Sequence, residues 1–167
     1  MSRQQSTNNI RLWWASSVAN KSAPTTAEIT AAVELTGFLK RDGLTTPKGG
    51  SLSDASDVSS AFNKRSPGTF GGDAVELKLY RDSVTGSDTA WSTLLPVSGS
   101  LPNGTAGFLI IRRFGGSATA VATGNVVEVW PSTVNTREMQ PIAENENQFF
   151  VATLAVTDEP DDAAVVA

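Results

Sequence analysis

Apolar residues in this chain recur mostly at every second position. Across residues 74–80, Val75, Leu77 and Leu79 alternate with Glu76, Lys78 and Tyr80, which predicts a strand with one face buried. Residues 58–63 alternate in the same way, with Val58, Ser60 and Phe62 on one side. Other runs are apolar on both sides. Residues 10–15 contain Trp13 and Trp14, residues 107–114 read GFLIIRRF, and residues 125–130 read NVVEVW and stop before Pro131. In residues 148–156, Phe149 and Val151 face one way while Phe150, Leu154 and Val156 face the other. A strand apolar on both sides predicts cover on both faces of its sheet. That cover comes either from a helix of the same chain or from a neighbouring subunit.

Two short segments carry helical spacing instead. Thr25 and Glu28 are placed to form a capping box, and Ile29, Ala32 and Val33 follow at i, i+3, i+4, with Gly37 as the stop. Ser87 is placed to cap a second helix in which Trp91, Leu94 and Leu95 share a face before Pro96 ends it. Residues 40–57, KRDGLTTPKGGSLSDASD, have almost nothing to bury and read as a long loop. Ser66-Pro67-Gly68 and Gly71-Gly72-Asp73 read as turns. Residues 1–9 read as a flexible arm.

With 167 residues, one domain is expected over 1–167. The chain has no cysteine and no histidine. Thiolate metal sites, cysteine nucleophiles and the Ser-His-Asp arrangement are therefore excluded. Net charge is −4, which argues against a general nucleic-acid binder. Charge is also uneven: the last 30 residues hold seven of the 17 carboxylates and none of the 13 basic groups, so residues 158–167 read as an acidic tail. No leader segment is visible, and no apolar run approaches the roughly 20 residues of a membrane helix.

The search for chemistry finds little. Lys48-Gly49-Gly50-Ser51 lacks the order of a phosphate loop. Asp54 and Asp57 lack calcium-loop spacing. Glu144 and Glu146, at strand spacing, read as surface carboxylates, and the Arg112-Arg113 pair as partners of acidic neighbours. No catalytic residue, cofactor or metal is expected, and no enzyme activity.

Four segments then carry a resemblance: EITAAVELTGFLKRDGLTTPKGG (28–50), FGGDAVELKLYRDSVTGSDTAW (70–91), GFLIIRRFGGS (107–117) and VVEVWPSTVNTREMQPIAENENQFFVATLAVTDEP (126–160). Together they resemble the major tail tube protein of long-tailed, siphophage-type bacteriophages, in texture those of actinobacterial hosts. The resemblance implies a mainly β fold: a β-sandwich, barrel-like, with one or two short helices packed on it and a long extended loop. It implies a virion subunit, made in the host cytoplasm, that forms hexameric rings. The rings stack around a tape-measure protein, meet terminator and distal tail or baseplate proteins, and later conduct double-stranded DNA without binding it specifically. No membrane partner is implied. The ring-to-ring contact falls by resemblance on Lys40, Arg41, Asp42, Gly43, Leu44, Thr45, Thr46, Pro47, Lys48, Gly49, Gly50 and Ser51. Helix packing on the sandwich falls on Ile29, Val33, Trp91, Leu94 and Leu95. The competing readings are another ring-forming protein, such as a tail terminator or Hcp-like subunit, and a carbohydrate-binding β-sandwich using Trp13, Trp14, Trp91 and Trp130.

Overall fold

The computed structural model describes residues 9–46, 48–54, 65–72, 74–82, 88–96, 98, 104–116, 119–141, 144 and 146–167. Among these, the strands are β1 (Arg11–Ala15), β2 (Val33–Glu34), β3 (Leu39–Thr45), β4 (Lys48–Asp54), β5 (Arg65–Gly72), β6 (Val75–Tyr80), β7 (Ala106–Arg112), β8 (Val126–Met139), β9 (Phe149–Val156) and β10 (Asp161–Val165). The helices are α1 (Thr26–Ala31) and α2 (Thr89–Thr93), and a 3-10 turn spans Thr36–Phe38. One antiparallel sheet runs β2-β1-β7-β8-β9-β6-β3, with β10 also paired to β8. β4 and β5 pair with each other in a separate hairpin. The fold is mainly β, as the sequence pattern implies.

The sheet is rolled, and connectivity shows why. β2 and β3 lie at opposite ends of the strand order, yet only Leu35 and the 3-10 turn separate them along the chain. Five peptide steps reach at most about 18 Å, so the two ends must approach one another. The buried side chains agree. Leu12 and Trp14 of β1 share one core with Val75, Leu77 and Leu79 of β6 and with Phe150, Ala152 and Leu154 of β9. Ala90 and Leu94, in and just after α2, fill the same interior.

A second core covers the opposite face of β1, β7 and the first half of β8. There Trp13, Ile110, Val127 and Val129 meet Ile29 of α1 and Ala164 and Val166 near the chain's end. In β7, Leu109 and Ile111 enter the first core while Ile110 enters the second. The strands that are apolar on both sides are thus covered on both sides by their own chain. β9 differs: Phe150, Ala152 and Leu154 are buried, but Phe149 and Val151 stay half-exposed on an outward face.

Several expectations are corrected. The capping box forms, with Thr25 Oγ1 accepting the Glu28 amide at 3.2 Å and Glu28 Oε2 accepting the Thr25 amide at 2.7 Å. The helix stops at Ala31, however. Val33 sits in β2 opposite Trp14 and packs on the first core, whereas Ile29 packs on the second, so the two share no helix face. Gly37 lies within the 3-10 turn. Ser87 lies outside the described residues; Asp88 is the residue before α2 and makes no capping bond through its side chain. Leu94 is buried, but Leu95 is 43% exposed.

β8 does not end at Trp130 but continues through Pro131 to Met139. Upstream of Pro131 the strand pairs with β10, and downstream with β9. The Pro131 carbonyl accepts the Thr157 amide at 3.0 Å, in the gap between those two partners. The amide position of a strand residue points to the same side as its carbonyl, so the proline nitrogen faces a place where no ladder bond is lost.

Within the stretch 40–57 expected as a loop, the described residues are mostly strand. They supply most of β3 and all of β4; Pro47 and residues 55–57 are outside the described residues, as are residues 1–8 of the expected arm and the expected strand at 58–63. The turn signals at 66–68 and 71–72 lie inside β5. Residues 158–167 are not a free tail: β10 pairs with β8, and Ala164 and Val166 are each 1% exposed. Residues 22–26 flank this segment, with Ser22 and Pro24 carbonyls accepting the Val165 and Ala167 amides at 3.1 and 3.0 Å.

Candidate assembly surfaces

β3 ends the sheet, so one of its edges lacks a ladder partner among the described strands. Between the Leu39–Leu79 and Leu44–Leu77 pairs, β3 advances five residues while β6 advances two. The surplus is a bulge carrying Lys40, Arg41, Asp42 and Gly43. Gly43 is required there, because a Cβ would lie 2.5 Å from the Lys78 carbonyl oxygen. A bulged, charged edge resists indiscriminate pairing and selects for a partner of matching shape. Leu44 packs on the first core, while Arg41, Asp42 and Thr45 are exposed.

The hairpin of β4 and β5 leaves from the lower end of β3, defined as the end where β6 begins. Its register pairs Lys48 with Gly72, Gly49 with Gly71, Gly50 with Phe70 and Asp54 with Arg65. Its root is tied to the body: Arg113 donates to Thr46 Oγ1 at 3.0 Å and pairs with Glu128, donating to Glu128 Oε2 at 3.1 Å. The lower pole therefore holds the hairpin root together with the turn after β7. Of the residues assigned by resemblance to ring stacking, 40–45 lie in the sheet edge and 48–51 in the hairpin.

Arg112 behaves differently from its neighbour. It is 1% exposed, and its hydrogen-bond partners are carbonyls rather than a carboxylate. It donates to Gly116 O and Thr119 O at 2.6 Å each, to Ala120 O at 3.1 Å and to Asn125 Oδ1 at 3.3 Å. Burial, followed by the nearby Arg11 charge, lowers its pKa from the ordinary arginine value, and Glu34 opposes the shift. Arg11 itself reaches Thr119 O at 3.1 Å while paired with Glu34 at 2.8 Å. The expected acidic partner is thus present for Arg113 and replaced by backbone dipoles for Arg112. No sequence signal distinguishes the two, because both follow the same apolar run.

The upper pole is built around Trp91. The Arg137 guanidinium lies 3.5 Å from its ring centroid and donates to the carbonyls of Trp91 and Leu94; Arg81 lies 4.1 Å from the same ring and pairs with Asp88. Phe150 meets the ring edge-on at 5.1 Å. Burial and then repulsion from Arg81 lower the Arg137 pKa, and Asp88 opposes this. These contacts seat α2 on the sheet. Ala90, fully buried and four residues before Leu94, was missed because its small side chain hardly registers in an apolar pattern. Trp13, Trp14 and Trp130 are buried, and the half-buried Trp91 ring is covered by the Arg81 and Arg137 guanidinium groups, so the four tryptophans offer no stacking platform for a sugar.

Outside β6 and β9 lies an open groove of about 430 Å³, where Lys40 sits 4.3 Å from the Phe149 ring centroid and Lys78 lies 3.9 Å from Glu76. A cleft of about 460 Å³ adjoins the upper pole, lined by Gly37, Phe38, Tyr80, Arg81, Asp82, Asn147 and Gln148. Glu144 and Glu146 lie in the connection between β8 and β9 rather than on a strand. Among the described residues no cluster of three or more potential metal ligands occurs. No helix among them is long and apolar enough to cross a membrane.

A family model described as phage tail tube protein matches residues 1–167. No curated protein matches. Among solved structures, a chain of the cryo-EM structure of the anti-feeding prophage (AFP) baseplate, 6-fold symmetrised, is similar in fold. Its TM-score is 0.55, at 9% identity, over 95% of each chain.

Proposed function

The chain belongs to the phage tail tube protein family, a structural component of the virion, and from that premise we propose that it forms hexameric rings stacked into a hollow tube. The tube encloses a tape-measure protein during assembly, meets terminator and baseplate proteins at its ends, and conducts double-stranded DNA at infection. Its role is structural and not catalytic.

The observation that carries this reading is the match of the family to the whole chain. The unpaired edge of β3 adds a physical reason for rings. Edge strands left open are a liability, and a heterologous contact whose rotation closes removes them. The bulge at 40–43 limits pairing on that edge to a partner shaped to receive it. The hairpin, which pairs with no other described strand, is the element suited to reach the next ring. The baseplate chain similar in fold comes from an assembly described as 6-fold symmetrised, which is consistent with six subunits per ring. A net charge of −4 favours DNA passage, because like charge keeps phosphates from adhering, though only within about 8 Å at physiological salt.

The test is electron microscopy of the purified protein. Six-fold rings and tubes are expected at high concentration. Monomers alone across concentration and salt would overturn the reading. Replacing residues 50–70 with an Asn-Gly turn, between the paired Gly49 and Gly71, should leave rings intact and stop tube growth.

A further inference from the structure

Two arginines bond described residues of the turn after β7. Arg112 commits its buried guanidinium to the carbonyls of Gly116, Thr119 and Ala120, and Arg11 adds a second bond to Thr119. Burying a cation against dipoles is costly, and Arg112 also donates to Asn125 Oδ1, so its bonds tie the described residues of this turn to the residue ahead of β8. Gly115 and Gly116 have φ of 96° and 75°, values that let the backbone reverse immediately after Phe114. Phe114 is 60% exposed to solvent. A large exposed aromatic side chain is the kind of group that anchors an interface.

The location of Phe114 indicates its occupant. Arg113, its neighbour, bonds Thr46 at the root of the hairpin, so Phe114 stands on the pole from which the hairpin projects. The opposite pole carries the cleft lined by Gly37, Phe38, Tyr80, Arg81, Asp82, Asn147 and Gln148, at the end of β6 and the start of β9. The cleft is open, with a volume of about 460 Å³. One chain thus has a knob at one pole and a hole at the other, the arrangement of a heterologous contact that repeats along an axis.

We propose that Phe114 of one subunit seats in the Phe38–Tyr80–Gln148 cleft of a second copy in the next layer, as an axial anchor separate from the hairpin. The anchor rests on the tube reading above and adds to it a defined pair of contact surfaces.

The full-length chain with Phe114→Ala tests it, since an exposed side chain can be truncated without disturbing either core. The variant should melt as the wild type does and still form rings. It should need at least about tenfold more protein for tube growth, the loss expected of an interface anchor. In a second experiment, Phe114→p-benzoylphenylalanine keeps an aromatic ring and is photolysed in assembled tubes. Cross-linked dimers should map to residues 37–38, 80–82 or 147–148. Wild-type growth of Phe114→Ala tubes, or cross-links elsewhere, would overturn the anchor and leave the tube reading standing. Failure of the wild type to form any tube would overturn both.

Discussion

Ile110 and Ile111 are adjacent on β7 and each is fully buried, but in different cores. In an ordinary half-exposed strand, truncating one of two neighbours is costly and truncating the other is nearly free. Here Ile110→Ala and Ile111→Ala should each cost about 2–5 kcal/mol, the transfer free energy of the lost methyl and methylene groups plus the cavity left behind. Against a total stability of about 5–15 kcal/mol, either change is large. With roughly 2–4 °C per kcal/mol for a chain of this size, a 3 kcal/mol loss lowers the melting temperature by about 6–12 °C. With urea slopes of about 1–3 kcal/mol/M, the unfolding midpoint should move by about 1–3 M. The assay is urea unfolding followed by tryptophan fluorescence, at dilution where the protein is monomeric. Dilution matters, because it removes any cover a neighbouring subunit could lend. If Ile110→Ala cost less than about 1 kcal/mol while Ile111→Ala cost several, the second core would not be packed in the isolated chain. The double-faced burial would then depend on assembly.

Thr25→Ala removes the side-chain half of the capping box on α1 and should cost about 1 kcal/mol in the same assay; no measurable loss would show that α1 is held by Ile29 alone. The Glu28 carboxylate is held below its ordinary 4.5 by hydrogen bonds from the Thr25 amide, the Ala19 amide and the Thr25 hydroxyl. Its contribution is therefore complete above pH 4.5 and is lost as pH falls through the lower folded value. Glu28→Gln should flatten the fall in stability below pH 4.5, and an unchanged acid profile would contradict the assignment. Gly43→Ala places a Cβ against the Lys78 and Lys40 carbonyl oxygens at 2.5 and 2.9 Å, so it should cost about 1–3 kcal/mol and speed hydrogen exchange along β3. Wild-type exchange at Leu44 and Thr45 would mean that the bulge accommodates the methyl group without strain.

The features legible in the sequence are those whose causes lie within a few residues of each other. The alternation in β6 needs only neighbours two apart. The capping box needs Thr25 and Glu28 three apart, and both are found as their spacing implies. The apolar density of β1 and β7 likewise indicated cover on both faces. What supplied the cover was not legible: Ile29 comes from residue 29 and Ala164 from the far end of the chain, and only the rolled sheet brings them to the same face. β3 and β4 escaped detection because their order comes from backbone pairing with β6 and β5, and no alternation of apolar residues marks them in the sequence. The acidic stretch after residue 157 reads as solvated, since Ala164 and Val166 are too few to outweigh four nearby carboxylates in any local pattern. The fates of Arg112 and Arg113 turn on which carbonyls and carboxylates arrive from elsewhere. Local spacing set the strands and the helix cap, while the rolled sheet's register decided which faces are buried, which edge stays open and which poles carry contacts. Burial and strand pairing are settled between residues distant in sequence, and they take effect only once the chain has closed on itself.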